Sequence, residues 1–161
     1  MTAFHIREAD LARDKPAFLT FIMGTQRFEY VFEPNRRLDA EVAADYLEPL
    51  LRRLAEKGGR IVVAENADGL TLGWGVVLEA EDDVFVVAAE RRYAYIAELF
   101  VVEGARGMGV GRALIAACED WARSKGNNVM QIGVLPGNAR AKAIYEQAGY
   151  SAYGLQLRRK F

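Results

Sequence analysis

Residues 98–112 read ELFVVEGARGMGVGR, an apolar run followed by a basic, glycine-rich turn. The apolar run predicts a strand. Beyond the turn, apolar residues recur at helical spacing and predict a helix; they are Leu114, Ile115, Cys118 and Trp121. Glycines let an anion approach successive backbone N–H groups, and a helix start offers unpaired donors and a positive dipole end. The order of strand, turn and helix therefore indicates an anion site, although a glycine pair alone also serves as a tight corner.

Two familiar phosphate-binding motifs can be tested against this turn. The Walker loop ends in Gly-Lys followed by Ser or Thr, and the chain contains no such triplet. The dinucleotide fingerprint G-x-G-x-x-G fails in both registers, because Arg112 and Leu114 occupy the positions of its third glycine. What remains is an R-x-x-G-x-G pattern formed by Arg106, Gly109 and Gly111.

Composition limits the class of protein. The 161 residues suit one domain, and 52% hydrophobic with 11% aromatic residues are sufficient for a packed core. The 21 basic and 22 acidic side chains nearly cancel, which disfavours nucleic acid and anionic membranes as partners. A single cysteine, Cys118, precludes an internal disulfide and a multi-cysteine zinc site. With no signal-peptide pattern and no membrane-spanning run, we expect a cytoplasmic protein.

Hydrophobic periodicity elsewhere predicts strands and helices mixed within one α/β domain. After a strand around Phe4 and Ile6, a helix opens near Asp14. A second helical segment starts at the N-cap Asp39, and Pro49 either kinks it or divides it into two short helices. Further strands are predicted at 61–64, 70–78, 93–102, 129–134 and 150–157. Two more helices are predicted, one ending at Gly126 and one lying between Asn138 and Gly149.

The R-x-x-G-x-G turn and its surroundings resemble the GNAT superfamily of acyl-CoA-dependent N-acetyltransferases. The resemblance covers roughly residues 93–150, and it includes the strand before the turn, the helix after it and the block Asn138-x-x-Ala141-x-x-x-Tyr145. It implies an α/β (α+β) fold in which a mixed, mainly antiparallel sheet is flanked by helices. It also implies that residues 1–161 form a single N-acetyltransferase domain.

The resemblance further implies acetyl-CoA as co-substrate, with no metal. The family binds the CoA pyrophosphate through the backbone of the loop that here comprises Arg106, Gly107, Met108, Gly109, Val110, Gly111 and Arg112. The strand end Leu99, Phe100 and Val101 matches the strand that pairs with the pantetheine arm, in the manner of strand addition. Asn138 matches a position that contacts the cofactor and can equally cap the following helix, while Ala141 leaves room for the cofactor.

Two residues match catalytic positions of the family. Tyr145 matches the tyrosine that donates a proton to the departing thiolate, and its alternative is a core tyrosine on an apolar helix face. Glu98 lies where several members place the carboxylate that takes the proton of the amine, and its alternative is a paired acid in the core. The family is not uniform at the Glu98 position, so the base assignment stays open.

We therefore expect transfer of acetyl directly to a primary amine of a small molecule, without nucleic acid or membrane as partner. The alternatives are a non-catalytic acyl-CoA-binding sensor, an acetyltransferase of protein amino groups, and a structural module whose glycine turn is only a corner. The acidic residues 79–83 are a solvated loop or attract a cationic acceptor. The aromatic residues 28, 30 and 32 alternate after the first helix, in the region where related enzymes shape the acceptor pocket, and packing residues are the equal alternative. A homodimer is common in the family.

Overall fold

A computed structural model describes residues 3–161. These residues form five strands and five α-helices. The strands are β1 (Phe4–Glu8), β2 (Gly59–Asn66), β3 (Thr71–Glu81), β4 (Arg92–Val101) and β5 (Met130–Ile132). The helices are α1 (Leu11–Tyr30), α2 (Val42–Lys57), the single turn α3 (Ala88–Arg91), α4 (Val110–Ser124) and α5 (Ala139–Gln147). A 3-10 turn at Glu103–Ala105 precedes the glycine-rich loop.

The strands form one sheet in the order β1-β2-β3-β4-β5. All neighbouring pairs are antiparallel except β4 and β5, which run parallel from Ala94 opposite Met130 to Ile96 opposite Ile132. The sheet is therefore mixed and mainly antiparallel, with helices on both faces, as the sequence predicts. Beyond Ile96, β4 is paired only with β3 within the described residues, so the sheet opens between β4 and β5.

Each face of the sheet has its own core. Helix α4 packs on one face, where Leu114, Ile115 and the buried thiol of Cys118 meet β2, β3 and β4. Helices α1 and α2 cover the other face, where Phe18 stacks on Trp74 with ring centroids 4.8 Å apart. Gly73 is required beside Trp74, because a Cβ there would come within 2.4 Å of the Phe100 carbonyl oxygen. Cys118 is fully buried, as its place on the apolar stripe predicts.

A bulge in β4 determines which way its side chains face. Val76 lies opposite Glu98 while its neighbour Val77 lies opposite Ile96, which leaves Ala97 as the extra residue. Ile96 packs in the α4 core, whereas Ala97 packs in the α1–α2 core and Glu98 contacts α2. Because strand residues normally alternate between faces, the bulge is what turns Glu98 towards α1 and α2.

Several predicted helix boundaries are wrong. Helix α1 begins after Asp10, whose carboxylate accepts the N–H groups of residues 12 and 13. Asp14 instead lies inside the helix, buried against Arg7 at 2.7 Å. The helix also runs to Tyr30, so the aromatic residues at 28 and 30 belong to it. Pro49 does not divide α2, because the buried Leu47 and Leu50 hold the helix on the sheet.

The other boundaries differ in the same way. Asp39 does not cap α2, because its carboxylate is bound by Arg37 and the residue before the helix is Glu41. The strand predicted at 129–134 contracts to β5, and no strand forms at 150–157. Leu155 and Leu157 are 79% and 86% exposed, so that segment lacks the neighbouring strand that a ladder needs. Within residues 3–161 no helix is long and apolar enough to cross a membrane.

Candidate functional site

The opening between β4 and β5 is a cleft of about 630 Å³. Its floor is β4 from Ile96 to Val101, and Gly133, Val134 and Leu135 line the side where the chain leaves β5. Helices α1 and α2 with their connecting loop close one side, and the glycine-rich loop with α5 closes the other. We call these the α1–α2 side and the loop side. The space therefore exists because β5 diverges from β4.

The glycine-rich loop has the backbone of an anion-binding turn. Gly107 and Gly109 adopt φ values of 82° and 86°, a left-handed conformation that favours glycine. Gly109 is the N-cap of α4 and supplies no side chain to the first N–H groups of the helix, which leaves them available to a ligand. Arg106, Gly107 and Gly111 line the cleft. Met108, Gly109 and Arg112 do not line it, and the Val110 side chain is buried in the core.

Arg106 lies against aromatic rings. Its guanidinium is 5.4 Å from the ring centroid of Phe28 and 5.9 Å from that of Phe100, and its Nε donates to the Val101 carbonyl at 3.1 Å. These contacts hold the cation at the end of β4, where the loop begins. Leu99, Phe100 and Val101 all line the cleft, as expected of a strand edge that faces a ligand.

Glu98 lies in the cleft, half-buried, beneath α2. The hydroxyl of Tyr46 donates to its Oε1 at 2.5 Å. Desolvation raises the pKa of Glu98 to about 7, assisted by the negative charge of Glu29 and opposed by the Tyr46 hydrogen bond and by Arg53. Glu98 is thus a carboxyl group that exchanges a proton near neutral pH, which is what a general base requires.

Helix α5 and its N-cap bring three predicted residues to the loop side, Asn138, Ala141 and Tyr145. The Asn138 side chain accepts the N–H of Ala141 at 3.1 Å and so caps the helix, while it also lines the cleft. Tyr145 lies one turn beyond Ala141 and also lines the cleft. Burial raises the pKa of its phenol to about 12. The phenol therefore keeps its proton at neutral pH and is available as a donor. One cleft thus holds Glu98 together with three residues that are distant from it in sequence, Asn138, Ala141 and Tyr145.

The sequence did not indicate several lining residues on the α1–α2 side. Tyr46 follows the helical apolar period of α2 and is read from sequence as a packing residue. Glu29 and Arg36, whose Oε2 and Nε are 2.7 Å apart, show no motif at all. Thr25 also lines the cleft, and its buried hydroxyl has no hydrogen-bond partner among residues 3–161.

The loop side of the cleft carries positive charge, whereas the α1–α2 side carries both signs, because Arg36 and Arg37 line it as well as two carboxylates. Its only lining carboxylates, within the described chain, are Glu29 and Glu98 near α1 and α2. The predicted acidic residues 79–83 do not line it, because two of them belong to β3 and Glu79 pairs with Arg92. Arg106 and Arg140 line the loop side, and neither forms an ion pair within residues 3–161. No group of three or more potential metal ligands occurs in that range.

The profile of the acetyltransferase (GNAT) family matches residues 23–150. This range includes the floor of the cleft, the glycine-rich loop and Tyr145. The chain belongs to the GNAT family of acetyltransferases. Enzymes of this family use acetyl-CoA as the acetyl donor, so the GNAT chain described here is an acyltransferase.

Similar proteins agree with this membership. Aminoglycoside N(6')-acetyltransferase type 1 of Stenotrophomonas maltophilia is 31% identical over 115 residues, which span 71% of each chain. Mycothiol acetyltransferase of Geodermatophilus obscurus is 35% identical over 132 residues, 76% of this chain but 39% of that protein. A protein from Pyrococcus furiosus provisionally named an acetyl transferase has a TM-score of 0.75 and 26% identity, with 99% of this chain and 100% of that one covered.

Proposed function

We propose that this GNAT chain transfers the acetyl group of acetyl-CoA directly to a primary amine of a small molecule. The observation that carries the proposal is Glu98, a carboxyl group with a pKa of about 7 that lies in the same cleft as Tyr145 and the glycine-rich loop. A proton acceptor, a proton donor and an anion site are the three functions that acetyl transfer to an amine requires.

The loop side fits the donor substrate. Acetyl-CoA carries a pyrophosphate, an amide-containing arm and a thioester, and the loop side offers two unpaired arginines and the uncapped start of α4. Beyond Ile96, the edge of β4 that faces β5 has no strand partner in the described chain. The backbone of β4 can therefore pair there with the amide-containing arm. We assign Arg106, Gly107, Met108, Gly109, Val110, Gly111 and Arg112 to the pyrophosphate, and Leu99, Phe100, Val101, Asn138 and Ala141 to the rest of the cofactor.

The chemistry follows from the protonation states of two side chains. An alkylamine is protonated at neutral pH, and Glu98 in its carboxylate form removes that proton, directly or through water. The amine nitrogen then bonds to the thioester carbon and releases its second proton to solvent, and the C–S bond breaks as the intermediate collapses. Tyr145 gives its proton to the departing sulfur and regains one from solvent, so the products are an amide and a free thiol.

The α1–α2 side favours a small acceptor. Helices α1 and α2 and the loop joining them enclose the cleft beside Glu98, which suits a compact amine. Two relatives are named as acetyltransferases of small molecules, an aminoglycoside and mycothiol. We take residues 1–161 as one catalytic domain, because a single sheet carries both sides of the cleft.

The test is thiol release with a panel of small primary amines and acetyl-CoA. The proposal expects free thiol to appear only when an amine is present, in a one-to-one ratio with acetylated amine. Glu98→Gln should reduce the rate by about 10² or more while acetyl-CoA binding, measured by calorimetry, stays unchanged. Tight binding of acetyl-CoA without amine-dependent thiol release would contradict the proposal and favour an acyl-CoA sensor. Transfer to peptide amines alone would contradict the small-molecule acceptor and favour a protein substrate.

A further inference from the structure

Glu29 is a second carboxylate in the cleft, separate from Glu98. It lies near the end of α1 and lines the cleft with about 29% of its side chain exposed. Its Oε2 accepts the Nε of Arg36 at 2.7 Å, and within residues 3–161 its Oε1 makes no side-chain hydrogen bond. One half of the Glu29 carboxylate is therefore free to accept another donor.

The charge of Glu29 reaches the reacting groups. It raises the pKa of Glu98 on β4 and also that of Tyr145 on α5, which lie on opposite sides of the cleft. Glu29, Glu98 and Tyr145 line the same cleft, in which the proposed acceptor nitrogen meets the thioester. An acceptor whose reacting amine reaches Glu98 therefore shares this cleft with the Glu29 carboxylate.

The two arginines of the α1–α2 loop are held very differently. Arg37 is bound by Asp39 through two nitrogens and by Asp45 through one, which fixes its guanidinium. Arg36 binds Glu29 through Nε alone and its neighbour Asn35 through NH1. A single contact between partly exposed groups contributes little to stability, so another cation can take its place at Glu29 at small cost.

We propose that Glu29 binds the second ammonium of a dibasic acceptor, a diamine, and that Arg36 occupies this cation site until the acceptor displaces it. The assignment rests on the proposed acetyltransferase function and names the class of its acceptor. One ammonium of the diamine reaches Glu98 and loses its proton, while the other stays charged at Glu29. A monoamine cannot replace Arg36 at Glu29 and react at Glu98 at the same time.

Substitution of Glu29 and of Arg36 should then have opposite effects on diamine turnover. An ion pair with a structural role alone would not show this difference. The probes are 1,4-diaminobutane and 1-aminobutane, which differ by one amino group. We expect the wild type to prefer the diamine in kcat/KM by about tenfold or more, the equivalent of roughly 1.4 kcal/mol. Glu29→Gln should abolish that preference, whereas Arg36→Ala should lower the KM for the diamine several-fold and leave the monoamine unaffected.

Glu33→Gln is the matched control, because Glu33 lies just beyond α1 but pairs with Arg158 and does not line the cleft. It should keep the diamine preference of the wild type. If monoamine and diamine turn over equally, or if Glu29→Gln and Arg36→Ala lower kcat/KM for both amines alike, the diamine assignment is wrong although the acetyltransferase stands. If acetyl-CoA binds but no amine of either kind releases thiol, the proposed function fails and the assignment fails with it.

Discussion

Replacing Glu98 by glutamine should stabilise the protein at neutral and alkaline pH. The amide keeps the shape of the carboxyl group and can still accept the Tyr46 hydroxyl, but it carries no charge to desolvate. In the folded protein the pKa of Glu98 is about 7, against an ordinary 4.5. Between these pH values the unfolded chain has lost the proton that the folded chain still holds, so the wild type loses stability as the pH rises.

The size of the effect follows from the two pKa values. They differ by about 2.5, and each pH unit is equivalent to about 1.4 kcal/mol, so the ceiling is about 3.5 kcal/mol. Water in the cleft screens part of this. We compare the free energy of unfolding of Glu98→Gln with that of the wild type. On going from about pH 4.5 to about pH 8, the variant should gain about 2 kcal/mol relative to the wild type and be the more stable protein at the higher pH.

Urea unfolding followed by circular dichroism at several pH values measures this difference directly. Glu103→Gln is the matched control, since Glu103 is an exposed carboxylate of the 3-10 turn just beyond β4, and it should not reproduce the stabilisation of Glu98→Gln. A Glu98→Gln difference that is constant across the pH range, or that grows towards low pH, would refute the desolvated carboxyl and with it the proposed base.

Three further outcomes follow from the site. Tyr145→Phe should lower turnover by about 10² while acetyl-CoA affinity stays within about twofold, as single-turnover and calorimetric measurements would show. Tyr46→Phe removes the hydrogen bond that lowers the pKa of Glu98, so the acidic limb of the kcat/KM profile should move to higher pH; an unmoved limb would separate Tyr46 from Glu98. Gly109→Ala forces a side chain into a φ of 86°, which should cost about 1–2 kcal/mol in denaturant unfolding and weaken acetyl-CoA binding. Gly104→Ala, a position open to solvent, should do neither.

Local patterns predicted much of the fold. The strand, turn and helix around Gly109 and the cap at Asn138 each depend on residues close in sequence, and both appear where expected. The helix boundaries at Asp14 and Pro49 could not be predicted, because buried partners brought in by the tertiary fold decide them. The segment 150–157 has the alternation of a strand but lacks a neighbour, which sequence periodicity does not report.

The residues of the loop side were predictable from the sequence, whereas the surroundings of Glu98 were not. The loop residues around Gly109 and Gly111 form a contiguous motif, so their spacing carries the information. Glu98 faces α2 only because a bulge at Ala97 inserts a residue into β4, and its partner Tyr46 is 52 positions away. The hydrogen bond between them arises from packing of α2 on the sheet, which no local pattern reveals.

The most direct test of the central claim is amine-dependent thiol release by the purified chain, with the acetylated product identified by mass spectrometry. The account predicts that acetyl-CoA alone is stable, that adding a small diamine releases one thiol for each acetyl-amine formed, and that Glu98→Gln abolishes this release without loss of acetyl-CoA binding. Thiol release that is equally fast in the Glu98→Gln variant, or absent with every amine while acetyl-CoA remains bound, would contradict it.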